Sequence, residues 1–209
     1  LNRFTQMYTP TVGSDFVMNY LGDTGLEAMQ GADILNVAPQ MYSSSVEYAD
    51  NPPSQSLKNV AQVMFADLGT RIFYALHGSF DTHAAELDAH AKLWDDVSAA
   101  IGDFTDDLKE HGREEDTMVL VFSEFGRRIK DNGSGTDHGS GSVAFMIGDA
   151  VKGGLYGEYP SLEPEKLDSG DLHWNNDFRR TYASILEQWM GLDANPILGD
   201  TYEQFDLIR

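Results

Sequence analysis

The stretch from Thr117 to Gly139, TMVLVFSEFGRRIKDNGSGTDHG, constrains the fold of this chain more than any other. It opens with an apolar run at 118–122, with the length and β-branched content of a buried strand. The strand end delivers Ser123, Glu124, Gly126, Arg127 and Arg128, followed by a loop rich in Asp, Asn, Gly and Ser. That loop closes on Thr136-Asp137-His138-Gly139, and a second apolar run at 143–147 follows almost at once. A carboxylate at one strand end and an Asp-His pair before the next strand suit a metal site. In open α/β sheets ligands bind outside the carboxyl ends of the strands.

The rest of the chain is read around this stretch. Residues 1–53 carry turn and linker signals at Tyr8-Thr9-Pro10, 12–15, 22–25, Val37-Ala38-Pro39, 43–45 and Asn51-Pro52-Pro53, and read as an irregular or linking segment. From Ser54, a possible helix cap, Leu57, Val60, Ala61, Met64, Phe65 and Leu68 recur at helical spacing, ended by Gly69. Residues 71–76 form a near-continuous apolar run and read as a strand. A long amphipathic helix is predicted from about Ala84 to His111, with Leu87, Ala91, Trp94, Val97, Ala100-Ile101, Phe104 and Leu108 on its buried face and Gly112 at its end. Residues 158–174 read as a loop. Asn176 or Asp177 caps a last helix reaching Met190 and Gly191, and the tail from Asn195 reads as a surface wrap. Helix, strand, long helix and strand in this order predict an α/β fold with right-handed crossovers and parallel neighbours.

Charge excludes some partners. With 34 acidic against 14 basic residues the net charge is −20, a surface that repels nucleic acid and anionic membranes. An anionic substrate has to enter against that field with the help of metal ions or local arginines. The absence of cysteine removes disulfides, thiolate ligands and thiol nucleophiles. No run has the apolar length of a membrane span. The first residue is Leu1, not Met, which is expected of a processed product or a fragment.

Three groups of residues are candidates for chemistry. Asp81 and His83 stand two apart just past the strand at 71–76, so an extended backbone puts both on one face, where they suit a shared Zn²⁺ or Mn²⁺; capping of the next helix by Asp81 or Thr82 is the competing role. Glu124 needs a cation, either a metal or one of Arg127 and Arg128. Asp137-His138, flanked by glycines, offers two donors with room for close approach, against a plain turn closed by Asp137. Arg127, Arg128 and Lys130 suit a phosphate or sulfate group, or balance local acids. Asp131, Asn132 and Asp137 form an oxygen-rich set that suits Ca²⁺ instead. Ser123 lacks the Gly-x-Ser-x-Gly context of a nucleophile elbow.

Five ordered motifs carry a resemblance. Gly78-Ser79-Phe80-Asp81-Thr82-His83, Ser123-Glu124-Phe125-Gly126-Arg127-Arg128, Gly135-Thr136-Asp137-His138-Gly139, the segment 151–157 (VKGGLYG) and Asp177-Phe178-Arg179 resemble the bacterial domain-of-unknown-function family fifteen-oh-one, sulfatase-like proteins related to alkaline phosphatase. The resemblance runs from about Asn51 to the carboxyl end. It implies a three-layer α/β/α sandwich with a mostly parallel sheet, incomplete in this chain, of which residues 54–209 are the carboxy-terminal part. It also implies divalent metal ions (Zn, Mn or Ca), hydrolysis of small phosphate or sulfate esters, and export to the periplasm or beyond, since members often carry a twin-arginine signal.

By the same resemblance Asp81, His83, Glu124, Asp137 and His138 are metal ligands, and Arg127 and Arg128 hold the anion. Asp81 and His83 look like the Asp and His that follow one strand, at a shorter spacing than in relatives. Glu124 stands where relatives have the Asp of Asp-His-Gly, with Phe125 replacing the His. Relatives carry their nucleophile in an amino-terminal half that residues 1–53 do not match. The nucleophile is therefore expected outside this chain, in a separate chain or segment. A non-catalytic surface or assembly protein that keeps the fold is the alternative.

Overall fold

The computed structural model describes residues 16–209, so the turns expected at 8–10 and 12–15 lie outside the described residues. The chain divides into two compact units. One holds the described residues up to Leu76 together with Ala99–Asp107, and the other holds His77–Ser98 and Leu108–Arg209.

The first unit is helical. Helix α1 (Phe16–Met41) runs through the segment whose Gly and Pro residues suggest turns, and Pro39 lies inside it. Each interior glycine costs about 1 kcal/mol against alanine. Packing against helix α2 (Pro52–Phe65) opposes that local penalty. Helix α2 starts before the expected cap at Ser54. Asn51 is its N-cap, and its side-chain oxygen accepts the Ser54 N–H at 2.9 Å. Pro52 and Pro53 occupy the first turn, where a missing N–H costs nothing. Ser54 is fully buried.

This unit also encloses an acid. Asp107 is 0% exposed, and its Oδ2 accepts the hydroxyls of Tyr42 and Tyr48, each at 2.7 Å. Both are short, charge-assisted bonds, which make the burial of the carboxylate tolerable. Tyr42 stacks on Phe65 with ring centroids 6.0 Å apart.

Helix α3 (Glu86–Glu110) matches the predicted long helix within two residues. Glu86 and Asp88 in its first turn and Lys109 in its last complement the helix dipole. Ala100, Phe104 and Leu108, at steps of four, are buried, whereas Leu87 and Ala91, expected on the same face, are exposed. Gly112, at φ +63°, closes the end, with Arg113 N–H donating to Leu108 O at 2.9 Å.

The sheet differs from expectation. Strand β1 (Val119–Val121) pairs antiparallel with β4 (Phe145–Ile147), with Leu120 opposite Met146. Strand β2 (Gly126–Asp131) pairs antiparallel with β3 (Thr136–Gly139), with Arg127 opposite His138 and an irregularity before Asp131. Among the described residues two small two-stranded antiparallel sheets therefore stand in place of the mostly parallel sheet of an α/β/α sandwich.

The physical reasons are local. A four-residue turn at 132–135 joins β2 to β3, and so short a link reaches only an antiparallel neighbour. The loop expected after Arg128 is thus a hairpin. The strand expected at 71–76 has extended-strand composition but no ladder partner among the described residues. Ile72, Tyr74 and Leu76 there are more than 70% exposed.

Toward the carboxyl end, Asp177 caps helix α4 (Phe178–Ser184) and accepts the Arg179 N–H at 2.9 Å. The helix continues as a π turn (Ile185–Trp189), and Gly191 follows at φ +67°. A short helix, α5 (Asn195–Leu198), begins the tail. The tail is more than a surface wrap. Leu207 is 3% exposed, and its carbonyl accepts the Lys152 N–H at 2.7 Å. Among the described residues no helix is long and apolar enough to cross a membrane.

Candidate metal centre

Two segments of the second unit build the site. One is the irregular stretch before α3, bearing Asp81 and His83; the other is the β2–β3 hairpin. The hairpin turn is shaped by its own side chains. Asp131 Oδ1 accepts the Gly133 N–H at 2.7 Å, and Asn132 Oδ1 accepts the N–H groups of Ser134 and Gly135 at 3.1 and 3.0 Å. Asp131 and the Asn132 oxygen, read from the sequence as a Ca²⁺ set with Asp137, are engaged in forming the turn.

The glycines on either side of Asp137-His138 serve chain-to-chain approach. A Cβ at Gly135 would lie 2.9 Å from the His83 carbonyl, and one at Gly139 would lie 2.6 Å from that of Arg127. Glycine thus seats the hairpin against the His83 segment and closes β3 onto β2.

The side chains then converge. Asp81 Oδ1 lies 2.6 Å from His138 Nε2 and 2.8 Å from His83 Nε2. Asp81, His83 and His138 offer ligand atoms that all lie within 4.8 Å of one another. His83 Nδ1 lies 3.1 Å from Asp137 Oδ1, so one imidazole faces a carboxylate at each nitrogen. A carboxylate oxygen has only lone pairs to present. Each contact therefore requires a ring N–H or a cation between the two atoms. The Asn132 amide donates to Asp137 Oδ1 and to the His83 carbonyl, both at 3.1 Å.

Electrostatics keep both acids ionised. The His138 contact holds the Asp81 carboxyl below its ordinary value, with His83 assisting. The Asn132 amide, then His83, does the same for Asp137. The rings form a stack. Phe125 lies flat on His138 at 3.9 Å and 9°, and His138 lies 4.9 Å from His83.

The donor set fits a borderline divalent ion. Two imidazoles and a carboxylate with open positions match catalytic zinc sites and related transition-metal sites, and suit Ca²⁺ poorly. Metal bonds of about 2.0–2.1 Å at tetrahedral angles place ligand atoms roughly 3.3 Å apart. The contacts of 2.6 and 2.8 Å would have to open by about 0.7 and 0.5 Å to admit an ion. Were His83 Nε2 to hold a metal, its Nδ1–H would donate to Asp137 Oδ1, 3.1 Å away, the carboxylate–histidine–metal arrangement that fixes a ligand's tautomer.

The expected site residues divide. Asp81, His83 and His138 come together, and Asp137 stands behind His83. Glu124 is exposed, stays outside the cluster, and makes no hydrogen bond or ion pair with the described residues. Arg128 pairs with Asp171 at 2.7 Å. Arg127 donates to backbone carbonyls and to Thr82. Sequence reasoning missed the roles of Asn132 and Phe125. The Asn132-Gly133 pair is a hairpin signal in its own right and pointed to the turn.

One comparison with known proteins gives a family, and none gives anything finer. No curated protein and no solved structure matches the chain. The profile of a family described as "Protein of unknown function (DUF1501)" matches residues 17–199, which is most of the chain. The chain belongs to the DUF1501 family.

Proposed function

We propose that this chain is the metal-binding part of an exported hydrolase of the sulfatase and alkaline phosphatase kind, acting on small phosphate or sulfate esters. The observation that carries the reading is the approach of His83 Nε2 and His138 Nε2 to a single Asp81 oxygen, at 2.8 and 2.6 Å. Asp81, His83 and His138 hold a divalent ion, Zn²⁺ or Mn²⁺, whose chemistry is Lewis-acid polarisation of an ester oxygen. Asp137 accepts from His83 Nδ1 and sets its tautomer, while Asn132 orients Asp137. Phe125 covers one face of His138 and limits its rotation. The reading places the nucleophile outside residues 1–209, in keeping with the motif resemblance, which also supports export.

The test is metal content and turnover of the full-length protein. Dialysis against Zn²⁺ or Mn²⁺ is expected to leave about one ion per chain, by elemental analysis. Chelation is expected to abolish hydrolysis of p-nitrophenyl phosphate or sulfate. A protein that retains no ion, or hydrolyses either ester equally well after chelation, refutes the proposal. A second reading, a non-catalytic surface or assembly protein with a metal-stabilised site, is favoured by exposure. The side chains of Asp81, His83 and His138 are 60%, 47% and 45% exposed. Retained metal with no turnover of either ester selects that reading.

A further inference from the structure

The geometry assigns Arg127 as a positioning residue of the metal centre, an inference that rests on the metal-binding reading above. The Arg127 guanidinium donates to the Phe80 carbonyl and, at 3.0 Å, to Thr82 Oγ1. These two groups flank Asp81 in the chain. Its other terminal nitrogen donates to the Thr136 carbonyl at 2.8 Å, two residues before His138. One rigid fork therefore ties the segment that carries Asp81 to the strand that carries His138.

Neighbouring groups hold the fork in place. Glu86 lies 3.9 Å from Arg127 Nε and accepts the Thr136 hydroxyl at 2.9 Å. The Phe125 ring, stacked on His138, lies 5.4 Å from the centre of the guanidinium. The Arg127 and Glu86 side chains are only 20% and 16% exposed, against 45–60% for the three ligands.

Sequence and chemistry explain why arginine stands here. Asp81 sits in irregular backbone, where no sheet or helix ladder fixes it. Donors in a planar array can reach two segments at once, and a lysine ammonium on a flexible stem cannot match that geometry. A guanidinium bonded to three chain groups has few donors left for an anion. Arg127 therefore serves the ligands and does not bind the ester.

The test uses Co²⁺ as a spectroscopic probe of the full-length protein. Arg127→Met is expected to weaken Co²⁺ binding by about 10- to 100-fold and to alter the visible d–d spectrum. Arg127→Lys is expected to fall between Arg127→Met and wild type. Arg180→Met is the control: its guanidinium bonds Asn176 and the Glu203 carbonyl and touches no member of the centre. It is expected to leave Co²⁺ affinity within about twofold while removing a comparable clamp.

Wild-type affinity and spectrum in either Arg127 variant overturn the assignment and leave the metal reading standing. A wild-type protein that binds no Co²⁺, Zn²⁺ or Mn²⁺ overturns the metal reading itself. In that case the imidazole ¹⁵N resonances of His83 and His138 decide the matter in the metal-free protein. Unchanged resonances in Arg127→Lys and Arg127→Met overturn the positioning role; loss of the wild-type pattern, with circular dichroism preserved, supports it.

Discussion

Replacing Asp107 by alanine is expected to lower the unfolding free energy by about 3–5 kcal/mol. Asp107 is fully buried and accepts the hydroxyls of Tyr42 and Tyr48 at 2.7 Å each. A hydrogen bond to a charged group contributes about 1.5–3 kcal/mol, so two bonds set an upper bound of about 6. Tyr42 is half-buried and can turn its hydroxyl to water, which reduces the loss. Tyr48 is 9% exposed, and its hydroxyl is left without this acceptor. Asp107→Asn keeps the shape and one acceptor oxygen and is expected to cost less, about 1–2 kcal/mol. Urea denaturation followed by circular dichroism measures all three proteins. For a chain of this length a loss of about 4 kcal/mol corresponds to a fall in Tm of roughly 8–16 °C. An Asp107→Ala protein within about 1 kcal/mol of wild type refutes the view that this carboxylate anchors the first unit.

Other outcomes test other parts of the chain. The Tyr48 hydroxyl is pushed up, first by burial and then by its bond to Asp107. Its folded-state pKa exceeds the unfolded one, so its contribution is complete below about pH 10 and is lost as pH rises further. Wild type is expected to lose stability above that pH, and Tyr48→Phe to lose less over the same range in alkaline denaturation curves. At the acid end the Arg179 guanidinium holds Asp177 below the usual carboxylate range. That contribution is present above the ordinary carboxylate value and disappears as pH falls through the lower folded value, so Asp177→Asn is expected to flatten the acid limb of a stability–pH profile. His83→Ala and His138→Ala are each expected to abolish Zn²⁺ retention while leaving far-ultraviolet circular dichroism unchanged; retention in both sinks the proposed ligand set. Gly126→Ala puts a methyl 1.7 Å from the Gly141 carbonyl oxygen and is expected to cost about 3 kcal/mol or more, read by thermal denaturation.

Part of the site was legible because its residue chemistry is local. Asp81 and His83 are two apart and share one face, and Asp137-His138 is bracketed by glycines that allow close approach, whatever the sheet does. The long helix was legible for the same reason: its apolar spacing repeats over six turns without interruption. Helix α1 was obscured because Gly22, Gly25 and Pro39 mark turns when each is weighed alone. Glu124, which the structure leaves outside the cluster, shows another limit. Its place at a strand end matched a motif, but nothing in a one-dimensional pattern says toward what a side chain points.

By itself the sequence determined which groups are available: Asp81 with His83 and Asp137 with His138 in two short segments, no thiols, a strongly acidic surface and one uninterrupted amphipathic helix. The short link at 132–135 sets the β2–β3 hairpin locally, whereas tertiary structure alone decided that β1 pairs with β4, because those ladder partners stand apart in the chain. It also decided that Asp81 faces His138 across 57 residues of chain and that Arg127 bonds the residues on both sides of Asp81, at the Phe80 carbonyl and the Thr82 hydroxyl. Those contacts depend on where an irregular segment and a hairpin meet in space, and no spacing rule within either contains that distance.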